Sequence, residues 1–232
     1  MYLEDPEEII AHFLRANLSE ITRQDCADRL STATDSFTGD ASEVEFVLDT
    51  TPDSITSITV DGITQIPYLH YNIDLDNKSI KFRDAPGNTL AIVVNSKIGS
   101  SWIYPDSPRL DLTKNSYPRI GSWVISDSSD FEELGDTADT YDTVVMQFDI
   151  LAYKDQLCTV SSETIADIDV AKYLSRQVKN AFKDNLNSEL IYMVSDFQII
   201  NSIPVPFTDA LNIHRRIMEI RFQFRNLRRL TT

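Results

Sequence analysis

The sequence predicts an α+β fold: a mixed or antiparallel sheet packed by two helices, in the order α, β, β, α, β, β, with an inserted small antiparallel β-sandwich or barrel. Three observations lead there. Apolar residues recur at spacings of three and four near the start and again after residue 162. They alternate at period two in short runs from Ser36 to about Lys97 and in longer runs near the end. Gly, Pro, Asn and Asp gather between the short runs, where turns require them.

The first helix is clearly punctuated. Asp5 can cap it, Pro6 suits the first helical position, and Glu7 and Glu8 sit where the helix dipole favours anions. Ile9, Ile10, Phe13, Leu14, Leu18 and Ile21 then form one apolar face, and the pattern fades between Asp28 and Thr34. Short β-rich runs follow at Val44 to Leu48, Ile55 to Val60, Tyr71 to Leu75, Ser79 to Phe82 and Leu90 to Asn95. Turn signals at Asp61-Gly62, Asp76-Asn77-Lys78 and Ala85-Pro86-Gly87 separate them, as in a small antiparallel module. Residues 99–118 carry three prolines together with Trp102 and Tyr104, which reads as an ordered arm whose aromatics anchor on this chain's core or on a neighbouring subunit.

Further on, Val144, Met146, Phe148 and Ile150 share one strand face. Ile165, Ile168, Ala171, Leu174, Val178 and Phe182 follow helical spacing after a cap at Ser161 or Ser162. A strand at 189–200 carries Ile191, Met193, Phe197 and Ile199. The last strand sets Met218, Ile220, Phe222 and Phe224 against Glu219, Arg221, Gln223 and Arg225. The small module offers the first helix no obvious partner, so its expected partner is the later sheet. Residues 1–35 and 99–232 then form one domain, with 36–98 inserted as a β-domain.

The composition is that of a folded globular chain, with 42% hydrophobic and 25% charged residues. No apolar run is long enough for a membrane span, and the acidic start MYLEDPEEII is unlike an export signal. Cys26 and Cys158, far apart and without a CxxC spacing or a nearby His, read as reduced structural thiols. The net charge of −15 argues against a sequence-independent grip on DNA. It is unevenly spread: within 212–232, Arg215, Arg216, Arg221, Arg225, Arg228 and Arg229 face only Glu219, so this end is +5 and the rest −20. Such polarity suits association with copies of the chain or docking on an acidic partner, and equally a plain solvated strand and tail.

Little in the sequence points to catalysis. It has no glycine-rich phosphate loop, no HExxH, and no GxSxG elbow to give His12, His70 or His214 a role. No cofactor or metal site is expected. The densest acidic stretch, Asp127 to Asp142, holds Asp127, Asp130, Glu132, Glu133, Asp136, Asp139 and Asp142 without EF-hand spacing, and reads as a solvated loop between two strands.

The stretch SFTGDASEVEFVLDTTPDSITSITVDG, followed by YNIDLDNKSIKFRDAPGNTLAIVV, resembles a β-module found repeatedly in structural proteins of tailed phages and archaeal tailed viruses, departing from it at Ala41, where Gly is usual. The flanking DPEEIIAHFLRANL, SYPRIGSWVI, YDTVVMQFDILAYKD, the helix at 162–184 and RRIMEIRFQFR resemble tail-terminator, or tail-completion, proteins. The resemblance implies a non-enzymatic virion component, assembled in the host cytoplasm: a homo-oligomeric ring, usually a hexamer, that joins the tail tube to the neck or head-side connector and leaves a channel through which DNA passes unbound. The acidic stretch is then the candidate channel lining. Trp102, Tyr104, Arg215, Arg221, Arg225, Arg228 and Arg229 are the candidate subunit or ring contacts. The alternatives are a stopper-type neck or head-completion protein, a host- or glycan-binding β-module protein and, more remotely, a metal-dependent hydrolase using Asp130, Glu132 and Glu133.

Overall fold

The computed structural model describes residues 5–18, 22–23, 30–99, 102–105, 117–130, 140–160, 162–185, 194–208 and 212–226. Its elements are α1 (Pro6–Asn17), β1 (Thr22–Arg23), β2 (Leu30–Thr38), β3 (Glu45–Val47), β4 (Ser54–Val60), β5 (Ile63–Thr64), β6 (Tyr71–Asp74), β7 (Ser79–Phe82), β8 (Ala91–Gly99), β9 (Ile103–Tyr104), β10 (Arg119–Asp130), β11 (Thr140–Tyr153), β12 (Leu157–Val160), β13 (Glu163–Ala166), α2 (Asp167–Asn185), β14 (Val194–Thr208) and β15 (Ile213–Asn226). The result is a sheet-rich α+β fold with two helices. The chain divides into two compact units, Met1–Asn17 with Arg29–Ser101 and Asn185–Tyr192, and Leu18–Asp28 with Trp102–Asp184 and Met193–Thr232.

In the first unit, a sheet of order β2-β8-β4-β5 and another of order β3-β7-β6 share a core. Phe46 of β3 lies 5.3 Å from Phe37 of β2 and 5.7 Å from Phe82 of β7, ring centre to ring centre. Ile58, Ile73, Ile80, Ile92 and Val94 are fully or almost fully buried beside them. The FTGDA and APGNTL segments hold each other. The Gly39 N–H donates to the Leu90 carbonyl (2.9 Å), Thr89 N–H to the Gly39 carbonyl (2.9 Å) and Ala41 N–H to the Pro86 carbonyl (3.0 Å). A Cβ at Gly39 would lie 2.5 Å from the Gly87 oxygen and 2.7 Å from that of Pro86, so only glycine fits. Ala41 has φ +64°, a left-handed conformation that glycine adopts at less cost than alanine. Asp40 Oδ1 accepts the N–H groups of Ser42 and Glu43 (2.8 and 2.6 Å), and these bonds, Glu43's first, hold its carboxyl below the usual range.

Helix α1 begins at Pro6 as its signals require, with the Asp5 carbonyl accepting the Ile9 N–H at 3.0 Å. Its docking departs from expectation: α1 packs on β4 of this small module. Ile55 sits at a register shift in β4, and its N–H donates to His12 Nε2 at 3.0 Å. Lys97 Nζ donates to the Arg15 carbonyl at 3.0 Å, a cation at the helix C-terminus where the dipole favours it. An apolar helical stripe specifies that a face is buried without naming the sheet that buries it. The expected boundary at residues 35 and 36 also falls inside β2, all nine residues of which pair with β8.

In the second unit a five-stranded sheet has order β14-β15-β11-β10-β9, antiparallel except for the short β9–β10 pair. Helix α2 covers one face. Phe182 lies 4.5 Å from Phe197 of β14 and 6.1 Å from Phe148 of β11, above Val144, Met146, Ile150, Met218, Ile220 and Phe222. The alternation in β11 and β15 is as expected. The helix starts later than the Ser161 or Ser162 cap allows, because Leu157–Val160 and Glu163–Ala166 pair as antiparallel strands, with Ser162 at φ +70° before the second. Ile165 is therefore in a strand and Ile168 is exposed. β1 pairs with β12, completing a three-stranded sheet. Cys158 is buried; Cys26, Ile21, Ile191 and Met193 lie outside the described residues.

Candidate functional site

The described parts of the acidic stretch are strand. β10 runs through Asp130 and β11 begins at Thr140, pairing Asp127 with Val144, Ser129 with Asp142 and Asp130 with Tyr141. Strand propensity predicts a loop for DSSD, but the long β11 partner draws it into the ladder. Asp127 is exposed and Asp142 half-buried. Glu132, Glu133, Asp136 and Asp139 lie outside the described residues, as do Arg228 and Arg229, and the side chains of Asp130 and Arg225 are not described.

Directly opposed residues in an antiparallel ladder share a face, so the register sorts the charges. Asp127 and Asp142 align with Val144 on the face that α2 covers. Arg215 and Arg221 align with Leu151 and Val145, on the opposite face. The structure therefore sets Asp127 and Asp142 on the opposite side of the sheet from Arg215 and Arg221, while Arg216 aligns with Ile150 on the same side as the two acids.

Arg215 is engaged within its own chain. Its Nε and a terminal nitrogen donate to the two carboxylate oxygens of Asp149 at 2.6 and 2.8 Å, a bidentate pair whose acid is fully buried. Burial pushes the Asp149 carboxyl up, against the pull of the Arg215 guanidinium. Arg221 is exposed on β15. Trp102 is buried and accepts the Ile120 N–H on its carbonyl at 2.7 Å. Tyr104 is half-buried, with the Arg119 guanidinium 3.5 Å above its ring centre. Asp149 and Arg119 escaped the sequence reading. Asp149 occupies the polar phase of the TVVMQFDILAY alternation, but its partner lies 66 residues away and only the register joins them.

No known protein family matches the sequence, and no curated protein is similar to it.

The histidines have structural partners. His12 Nε2 accepts from Ile55, and burial, followed by the charge of Arg15, lowers its pKa to about 3. His70 Nδ1 accepts the Ile66 N–H at 2.9 Å. His214 stacks on Phe207 at 4.6 Å with its Nε2 3.4 Å from Asp167. Among the described residues no group of three His, Cys, Asp or Glu side chains could hold a metal ion, and no helix is long and apolar enough to cross a membrane. A pocket of about 120 Å³ in the first unit lies between α1, β4 and the segment Thr64 to Tyr71, and Phe13, Ile55, Ile66, Tyr68 and Tyr71 contribute to its lining. Its predominantly apolar wall suits a small apolar or ring-shaped group.

Proposed function

We propose that the protein is a structural component of a tailed virion: a ring of copies, six in the usual arrangement, at the head-proximal end of the tail tube, joined to the neck and leaving a channel for DNA. The supporting observation is the interlock of FTGDA with APGNTL, which gives a physical reason for the two halves of the virion-type β-motif to occur together in one chain. Helix α1 adds nothing to this reading, because it belongs with the β-module; the terminator likeness rests on the unit containing α2 and its five-stranded sheet. In this reading the module faces the neck or capsid. A chain of net charge −15 lets DNA slide without holding it, since retention would require basic groups on the phosphates. The test is to mix the purified protein with assembled tail tubes and to examine tube ends by electron microscopy and complexes by native mass spectrometry. Rings seated on one tube end are expected; a chain that never binds the tube overturns the proposal.

One observation favours a second reading, that of a ligand-binding module. The pocket places Tyr68 and Tyr71 near Thr56 and Gln65, the pairing of aromatic faces with polar groups that sugars engage. Binding of the full chain to a glycan panel, abolished by Tyr68→Ala, would support it; no binding across the panel would dismiss it.

A further inference from the structure

Among the described strands β14 is an edge of the five-stranded sheet; Pro204 and Pro206 guard its later part, and the stretch from Phe197 to Ile203 carries neither a proline nor a charge. From Phe197 to Thr208 it has no charged residue, in a chain one-quarter charged. Ile199, Ile200 and Ile203 are 41%, 53% and 50% exposed. They do not share one side. Ile199 aligns with the buried Ile220 on the α2 face, Ile203 aligns with Ile217 on the opposite face, and Ile200 falls at a register shift between them. A body packing on one face would leave half of this apolar surface in water, whereas a strand added to the edge covers both faces together.

We propose that two copies of this chain join through β14, paired antiparallel about a twofold axis, to make a continuous ten-stranded sheet. The partner follows from chemistry. The other long edge among the described strands is β2, whose exposed residues Ser31, Thr32, Thr34, Ser36 and Thr38 offer no apolar match, and β9 at the far edge of the same sheet has only two residues. Only β14 presents isoleucines to isoleucines. The absence of charge from Phe197 to Thr208 also lets two copies of a −15 chain approach along that stretch without local repulsion. Pro204 and Pro206, which have no N–H to donate, confine the ladder to the stretch before them. The twofold then uses up the edge, so the contact closes as a dimer and does not propagate. This inference does not rest on the tail-end reading, because a ring requires a separate head-to-tail contact.

Sedimentation equilibrium of the wild type, of Ile199→Lys/Ile203→Lys and of Ile200→Lys tests it, with Ile125→Lys, at an exposed isoleucine on β10, as control. The expected result is a dimer for the wild type and control, and association weakened by about a hundredfold in both edge variants with far-UV circular dichroism unchanged. Ile200→Lys alone serves if the double variant misfolds. A monomeric wild type, or dimers that survive the edge substitutions, overturns the proposal. A larger ring that survives them also overturns the edge contact and leaves the tail-end reading standing; a β14 dimer that never seats on a tube does the reverse.

Discussion

Acidification should loosen the α1-bearing unit through one residue. His12 is buried and uses Nε2 as acceptor for the Ile55 N–H, a role open only to the neutral ring, and its pKa falls from 6.5 to about 3. Above pH 6.5 the imidazole is neutral in both folded and unfolded chains and contributes no pH dependence. Below it the unfolded chain takes up a proton that the folded chain refuses, so stability falls as the pH drops and levels off near pH 3, where the folded form is protonated too. At about 1.4 kcal/mol per pH unit, moving from neutral pH to about pH 4.5 should cost roughly 2.7 kcal/mol from this side chain. Other carboxylates titrate in the same range, so the measurement is differential. Urea unfolding followed by circular dichroism is compared for the wild type and for His12→Gln, which keeps an acceptor without a proton equilibrium. The wild type should lose about 2.7 kcal/mol more than the variant over that interval. Imidazole resonances of the folded protein should show His12 neutral throughout. Parallel losses in the two proteins, or a folded His12 titrating near its ordinary value, would refute the reasoning.

Arg215→Met should destabilise the other unit by about 3 kcal/mol, because Asp149 would remain buried without its partner, and the double variant Asp149→Leu/Arg215→Met should regain most of that in urea unfolding. Ala41→Gly should raise stability by about 0.5–1 kcal/mol by relieving a left-handed alanine, a gain readable as a higher unfolding midpoint. Gly39→Ala should act oppositely, costing about 3 kcal/mol, since the new Cβ would force the two interlocked turns apart.

Local signals were legible where one chemical pattern suffices. Pro6 after Asp5 marks the start of α1, Ser79–Phe82 is bounded by turn residues on either side, and the alternation of Met218 to Phe224 gives the buried face of β15. What stayed hidden depends on partners distant in sequence. The stripe of α1 does not name its sheet, and the N–H at a bulge in β4 that His12 satisfies lies 43 residues away in sequence. Glu163–Ala166 reads as the first turn of a helix until Leu157–Val160 pairs with it. Among the candidate site residues, Arg215 was visible as a charge, but its engagement with Asp149 requires knowing how β11 and β15 align. The acidic stretch looked like a loop because Asp and Ser disfavour strands, a preference that the ladder overrides at Asp127.

All 14 residues of β11 pair with β15, and most also pair with β10 on the other side. At roughly 3.3 Å per residue this central ribbon is about 45 Å long. A pull along its length strains many ladder bonds at once, in shear, whereas a pull across it opens them one after another. The ribbon is therefore a stiff rod for axial tension and a zipper for transverse tension, so the direction from which a neighbour tugs decides whether this unit holds its shape.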